Sequence, residues 1–305
     1  MRYAHVASRA FGRPLLLHPG RGQAWLTSFA HMLHGRQFAE ATPPRAHGLK
    51  AMAMEDDEAG ERGPVYASLP VGLVERDYRK AFPQVKDVAV LRLNGVLVND
   101  LGTVDPWCGM TGYDGLRTQL VEALNDPTIK AIAGIYDTPG GEVTGCFDLA
   151  DQFRAAREIK PFWAITDGMA CSAGYALACG AGRITCSSVG YTGSIGVIAG
   201  HVDYSKALDE AGIKVTLIYA GDHKADGNEY EPLPESVRAD FKAEIDAIYD
   251  QFVAVVVKGR GLDEKVVRDT QARSYLAKPA TDLKLCDAIM SPTDALLELV
   301  DLASK

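Results

Sequence analysis

The chain has 305 residues, 47% of them hydrophobic, enough to bury a full core in one large or two modest domains. Its formal net charge of −8 opposes a polyanionic partner, which excludes nucleic-acid binding as its function and reads as a solubilising surface. No apolar run reaches the ~18 residues that cross a bilayer.

In chain order, the start from Met1 to Leu17 carries Arg2, His5, Arg9 and Arg13 before one short apolar stretch. That differs from a secretory signal with a long apolar centre, so the expectation is a soluble cytoplasmic protein with no membrane anchor. Pro14 to Pro19 reads as extended, and Ala24 to Leu33 has helical spacing in Trp25, Phe29 and Leu33. Gln37 to Pro64 is polar and reads as a linker. The division expected is an extension and linker over 1–64, a catalytic domain over 65–290 and a final helix over 291–305. Val88 to Leu93 and Val96 to Val98 read as strand, broken at Asn94-Gly95. Asp114 to Leu124 reads as helix, ending before Pro127. Ile129 to Tyr136 is a buried strand followed by a Thr138-Pro139-Gly140-Gly141 turn. Val143 to Arg157 is a helix, Pro161 to Thr166 a short strand and Ser172 to Cys179 an alanine-rich helix. Ile184 to Cys186, Ser194 to Ala199 and Val215 to Tyr219 read as strands, with a helix from Tyr204 to Glu210. Val237 to Lys258 is an amphipathic helix with Phe241, Ile245, Ile248, Phe252 and Val256 at spacings of three and four. Shorter helices follow near Asp263 to Asp269, Ala280 to Leu285 and Thr293 to Leu302. Strands alternating with helices predict an α/β fold with a parallel sheet.

Six cysteines stand at 108, 146, 171, 179, 186 and 286. None forms a Cys-x-x-Cys pair and no histidine pattern accompanies them, so no metal and no cofactor is expected. They suit buried free thiols in a reducing compartment.

The chemistry centres on two glycine-flanked segments. In Asp167-Gly168-Met169-Ala170-Cys171-Ser172-Ala173-Gly174-Tyr175 a strand turns into a helix and presents Ser172. In Ala220-Gly221-Asp222-His223-Lys224 a glycine turn presents Lys224. A neutral lysine can take the proton of a serine and make it a nucleophile. Ser172 at the positive end of a helix dipole favours developing negative charge. The bland alternative is a serine that caps the helix. The amides of Gly141 and Ala173 form a natural oxyanion-hole pair, against the alternative of a plain Pro-Gly turn. Lys224 must lose its charge through burial away from Asp222 and Asp226. Otherwise it is a solvated loop lysine. Ser194, in Thr192-Gly193-Ser194-Ile195-Gly196-Val197, can hold the lysine amine in line, or be a turn serine. Cys171 as nucleophile and His223 as base are the competing assignments.

Jointly, these segments, with Gly212-Ile213-Lys214, Val257-Lys258-Gly259-Arg260-Gly261, Ala272-Arg273-Ser274-Tyr275 and Ala280 to Asp287, resemble the signal peptide peptidase A family of serine proteases over roughly residues 85 to 290. The resemblance implies a Clp/crotonase-type repeated ββα core, with a helical C-terminal part and an N-terminal extension. It implies Ser172 as nucleophile, Lys224 as general base, Ser194 as the serine orienting the lysine and the Pro-Gly-Gly segment as oxyanion loop. It also implies a homo-oligomer. The N-terminal Arg13-Pro14-Leu15-Leu16-Leu17-His18-Pro19, with the helix holding Trp25, resembles the capsid assembly protease branch of lambda-like tailed phages. That branch cleaves scaffold, portal or other head proteins during prohead maturation. From the end at Lys305, a scaffold is expected as a separate protein. The competing readings are a soluble bacterial peptidase that degrades membrane-derived peptides and a non-catalytic assembly module. An acyl-CoA hydratase relative or a Clp-type Ser-His-Asp enzyme fits less of the pattern.

Overall fold

The computed structural model describes residues 73–75, 77, 79–101 and 109–305, together with the backbone of 15–17. The proposed helix over Ala24 to Leu33 and the linker over Gln37 to Pro64 lie outside the described residues. The architecture is mixed α/β around a mostly parallel sheet in the order β10-β7-β6-β5-β3-β2. Its strands are β1 (Leu15–Leu17), β2 (Gln84–Val85), β3 (Val88–Val98), β4 (Met110–Gly112), β5 (Ala131–Glu142), β6 (Phe162–Cys171), β7 (Arg183–Cys186), β8 (Tyr191–Gly193), β9 (Ser274–Leu276) and β10 (Ala288–Ile289). The helices are α1 (Tyr113–Asn125), α2 (Cys146–Ala156), α3 (Ala173–Ala178), α4 (Ser205–Glu210), α5 (Glu235–Arg260), α6 (Glu264–Asp269), α7 (Ala277–Asp282) and α8 (Pro292–Ala303).

The central strands are apolar on both faces, as parallel strands covered by helices must be. Alternation divides each strand between two cores. Leu91, Leu93, Ile132, Tyr136, Phe162 and Ala164 face one way, into the core shared with α1, α2, α3 and the C-terminal half of α5. Val88, Val90, Ala131, Ala133, Ile135, Trp163 and Ile165 face the other way, against Ala295, Leu296, Leu299 and Val300 of α8. Arg183 stacks its guanidinium 4.3 Å from the Trp163 ring centre. It also pairs with Glu298 of α8 at 2.6 Å.

Four expected elements differ in extent. β3 is continuous through Asn94-Gly95, where its register against β5 shifts. Gly95 has φ 67°, so the glycine makes a bulge instead of ending the strand. Thr138-Pro139-Gly140-Gly141 is strand, not turn, because Gly140 and Gly141 are paired by β3 on one edge and β1 on the other. Val215 to Tyr219 forms no strand and is exposed. Among the described residues, its alternating apolar side chains have no neighbouring strand to pair with. Likewise Ser194 to Ala199 is irregular, and the strand there is Tyr191–Gly193, just before it.

The turn from α1 into β5 is held by Asp126. Its carboxylate meets Lys80 Nζ at 2.8 Å and accepts from Thr128 N at 2.8 Å and Thr128 Oγ1 at 2.6 Å. The Lys80 hydrogen bond, then the two from Thr128, hold this carboxyl far below the usual carboxylate range. Its contribution is therefore present above the unfolded value of about 3.9 and is lost as pH falls through that value toward the folded one. Asp126→Asn is expected to lower stability by about 1–2 kcal/mol at neutral pH. The gap from wild type should close as pH drops below about 4, measured by urea unfolding across pH.

Candidate active site

The site lies at the fork where β5 and β6 separate. The two strands pair in parallel up to Thr138 opposite Ala170. β6 then ends at Cys171 and the chain enters α3 through Ser172. Ser172 has φ 55° and ψ −119°, a conformation ordinarily left to glycine. Such a residue stores about 1–3 kcal/mol of strain that its surroundings must hold in place. Here Ser172 N donates to Gly193 O at 2.8 Å, and Ala176 N donates to Ser172 O at 2.9 Å. Ser172 is 0% exposed, and among the described residues its Oγ has no hydrogen-bond partner. The side chain does not cap α3. A buried hydroxyl without a partner costs about 1–3 kcal/mol, which marks a group kept for something other than stability.

The glycine segment beside it is shaped by contact. A Cβ on Gly141 would fall 1.8 Å from the carbonyl oxygen of Leu97, so only glycine lets β5 lie this close to β3. Thr138 fixes the approach to it. Its Oγ1 donates to Gly95 O at 2.6 Å and accepts from Gly140 N at 3.1 Å. A Cβ on Gly174 would meet the Thr138 methyl at 2.4 Å, so the first turn of α3 packs directly on this residue. With the Gly140 amide engaged by Thr138, Gly141 and Ala173 are the amides next in line on the two sides of the fork. Ala173 begins α3, where backbone N–H groups have no partner within the helix. Thr138 was not singled out from sequence. Its place two residues before Gly140 carried the signal, since a threonine hydroxyl readily bonds an amide two residues on.

Ser194 is brought close to Ser172 through the backbone, because Ser172 bonds Gly193, the residue before it. Ser194 is buried, has φ 55°, and donates its N–H to Arg273 O at 2.9 Å. β8 pairs with β9, Gly193 opposite Ser274. The Ala272 to Tyr275 motif thus supports the Ser194 turn. Arg260 has a structural part as well. It bonds Lys284 O and Asp287, whose carboxylate also accepts from Ile184 N at 2.7 Å.

Lys224 is placed differently. It is exposed in a turned segment after Gly221, and no hydrogen bond joins it to Ser172. Neither Asp222 nor Asp226 pairs with it. Asp226 instead holds His223 Nδ1 at 2.8 Å. That bond raises the imidazole pKa, and His223 is exposed with no hydrogen bond to Ser172. The five described cysteines are buried. Burial pushes the thiols of Cys146, Cys179 and Cys186 up to about 12. Cys171 Sγ lies toward Tyr191 O and Ser274 Oγ.

The site is thus a strand-to-helix turn that carries a buried serine beside a glycine strand. The sequence model for peptidase family S49 matches residues 154–304. The chain is 36% identical over 301 residues to the capsid assembly protease C of Escherichia phage lambda, a match covering 97% of this chain and 65% of the relative. It is 34% identical over 295 residues to the head-tail preconnector protein GP5 of Enterobacteria phage P21, covering 96% and 56%. Protease 4 of Salmonella typhi is 27% identical over 218 residues, covering 71% and 34%. The chain thus spans somewhat under two thirds of the length of the phage relatives it matches. No described helix is long and apolar enough to cross a membrane.

Proposed function

We propose that the chain is a serine endopeptidase that cleaves phage head proteins (scaffold, portal or itself) during prohead maturation. The observation that carries this reading is the buried Ser172 hydroxyl, without a partner among the described residues and held in strained backbone beside Gly140-Gly141. Its likeness to two phage head proteins over nearly the whole chain supports the substrate class. The parallel sheet covered by helices, with a glycine strand running past the nucleophile, supports a Clp/crotonase-type core. The working division remains 1–64, 65–290 and 291–305. The setting is the assembling prohead in the host cytoplasm.

In the proposed reaction Lys224, as the neutral amine, takes the Ser172 proton while Oγ attacks the peptide carbonyl. The amides of Gly141 and Ala173 stabilise the oxyanion. The C–N bond then breaks, the departing amine takes the proton from Lys224, and water hydrolyses the acyl ester, returning the proton to Ser172. Ser194 orients the lysine. The dyad requires Lys224 to leave solvent. Ile213, Leu217 and the 96% exposed Ile218 precede it in the same exposed segment. An apolar surface of this kind calls for a cover, and another copy of the chain supplies it in the homo-oligomer we infer. Docking of that segment would desolvate Lys224 and bring it to Ser172.

The test is co-expression with the neighbouring head genes. Wild type is expected to process a head protein to a smaller band on a gel, and Ser172→Ala and Lys224→Ala are expected to leave it whole. Processing that survives both substitutions removes the reading.

A further inference from the structure

We propose that Leu15–Leu17 is a resident occupant of the strand edge on which this protein holds its peptide substrate, an inference that rests on Ser172 being the nucleophile. Topology carries it. Past the fork at Thr138 and Ala170, β5 continues through Gly140 to Glu142 without β6 beside it. One edge of that continuation belongs to β3, with Val96 opposite Gly140 and Leu97 opposite Gly141. The other edge is the one β6 has left, on the side where the chain passes into Ser172. β1 occupies it, antiparallel, with Leu15 opposite Glu142, Leu16 opposite Gly141 and Leu17 opposite Gly140.

An extended peptide is the natural partner of such an edge, since its backbone supplies the missing N–H and C=O groups. A peptide held there presents a carbonyl beside Gly141, the proposed oxyanion donor. In the described state the chain's own backbone holds that place, and Ser172 is fully buried. A substrate must therefore displace β1. Among the described residues the pairing spans three, and a longer extended segment can compete for the edge. The substrate this site fits is an unfolded or linker stretch of a head protein that enters as an added antiparallel strand, not a folded surface.

The test uses full-length protein with Leu15→Pro and Leu16→Pro together. Successive strand residues turn their N–H groups to opposite edges, so one of the two prolines removes a donor facing β5. The probe is a fluorescein-labelled peptide of residues 12–19 added in trans. In a Ser172→Ala background, the double-proline chain is expected to bind this peptide about tenfold more tightly than the chain with intact β1, equivalent to one or two net hydrogen bonds. Equal affinity overturns the proposal. Leu16→Gly, a milder change, serves if the double-proline chain does not fold, and should move affinity the same way by about threefold. With Ser172 intact, the double-proline chain should cleave an unrelated extended peptide with a lower KM and an unchanged kcat. A failure of the nucleophile assignment would appear separately, as cleavage undiminished in Ser172→Ala, while the binding comparison still reads the edge.

Discussion

Purified Ser172→Ala protein is expected to lose peptide hydrolysis by at least about 10⁴-fold while unfolding at or above the wild-type temperature. The two halves of this result come from the same atom. Removing Oγ removes the group that would form the acyl ester, and the residual rate falls to what binding and the oxyanion donors supply alone. It also removes a buried hydroxyl with no partner, relieving about 1–3 kcal/mol. A serine kept only to cap α3 would behave oppositely, losing stability without a specific loss of rate. Steady-state hydrolysis and thermal unfolding on the same preparation separate the cases. Lys224→Ala belongs to the same experiment. Loss of a general base should lower kcat by about 10²–10⁴. Because Lys224 is exposed, its removal should leave the unfolding temperature of the isolated chain unchanged. Full activity in Lys224→Ala would assign the proton to another group.

Gly141→Ala should fail for a reason independent of chemistry. The new methyl would sit 1.8 Å from the Leu97 carbonyl oxygen, a backbone atom of a central strand with no rotamer by which to move aside. Pushing β3 from β5 breaks pairing at the fork, and a cost above about 3 kcal/mol is expected. For a chain of this size that lowers the unfolding temperature by roughly 6–12 °C, or leaves the protein insoluble. Gly212→Ala is the matched control. Gly212 has φ 68° but open space around it, so it carries the conformational penalty without the collision. About 1 kcal/mol is expected there. Equal losses at both positions, by calorimetry, would refute the role assigned to close strand contact.

Much of the site was legible because its chemistry is local. Ser172 follows a strand and precedes an alanine-rich helix, and that succession alone puts a serine at a strand-to-helix turn. The long helix near Val237 to Lys258 was legible by period, and α5 runs from Glu235 to Arg260. Its later part, with Phe252, Val253 and Val256, is buried in the main core, and Val237 near its start is buried apart from that cluster. Phe241 remains exposed, beside the segment that carries Lys224. Period alone marks an apolar stripe but does not say what covers it.

By itself the sequence determined the alternation of strands and helices, the two-sided apolar strands that demand a covered parallel sheet, and the placement of Ser172 at a strand end. Those follow from periodicity and steric rules acting over a few residues. Tertiary structure decided that Pro-Gly-Gly is strand, since β1 and β3 pair with it from both sides. It also decided that the Ser172 hydroxyl is buried without a partner among the described residues, and that Lys224 stands in solvent in the single chain. Each of these depends on residues far apart in sequence meeting in space, or failing to meet, which no local pattern encodes.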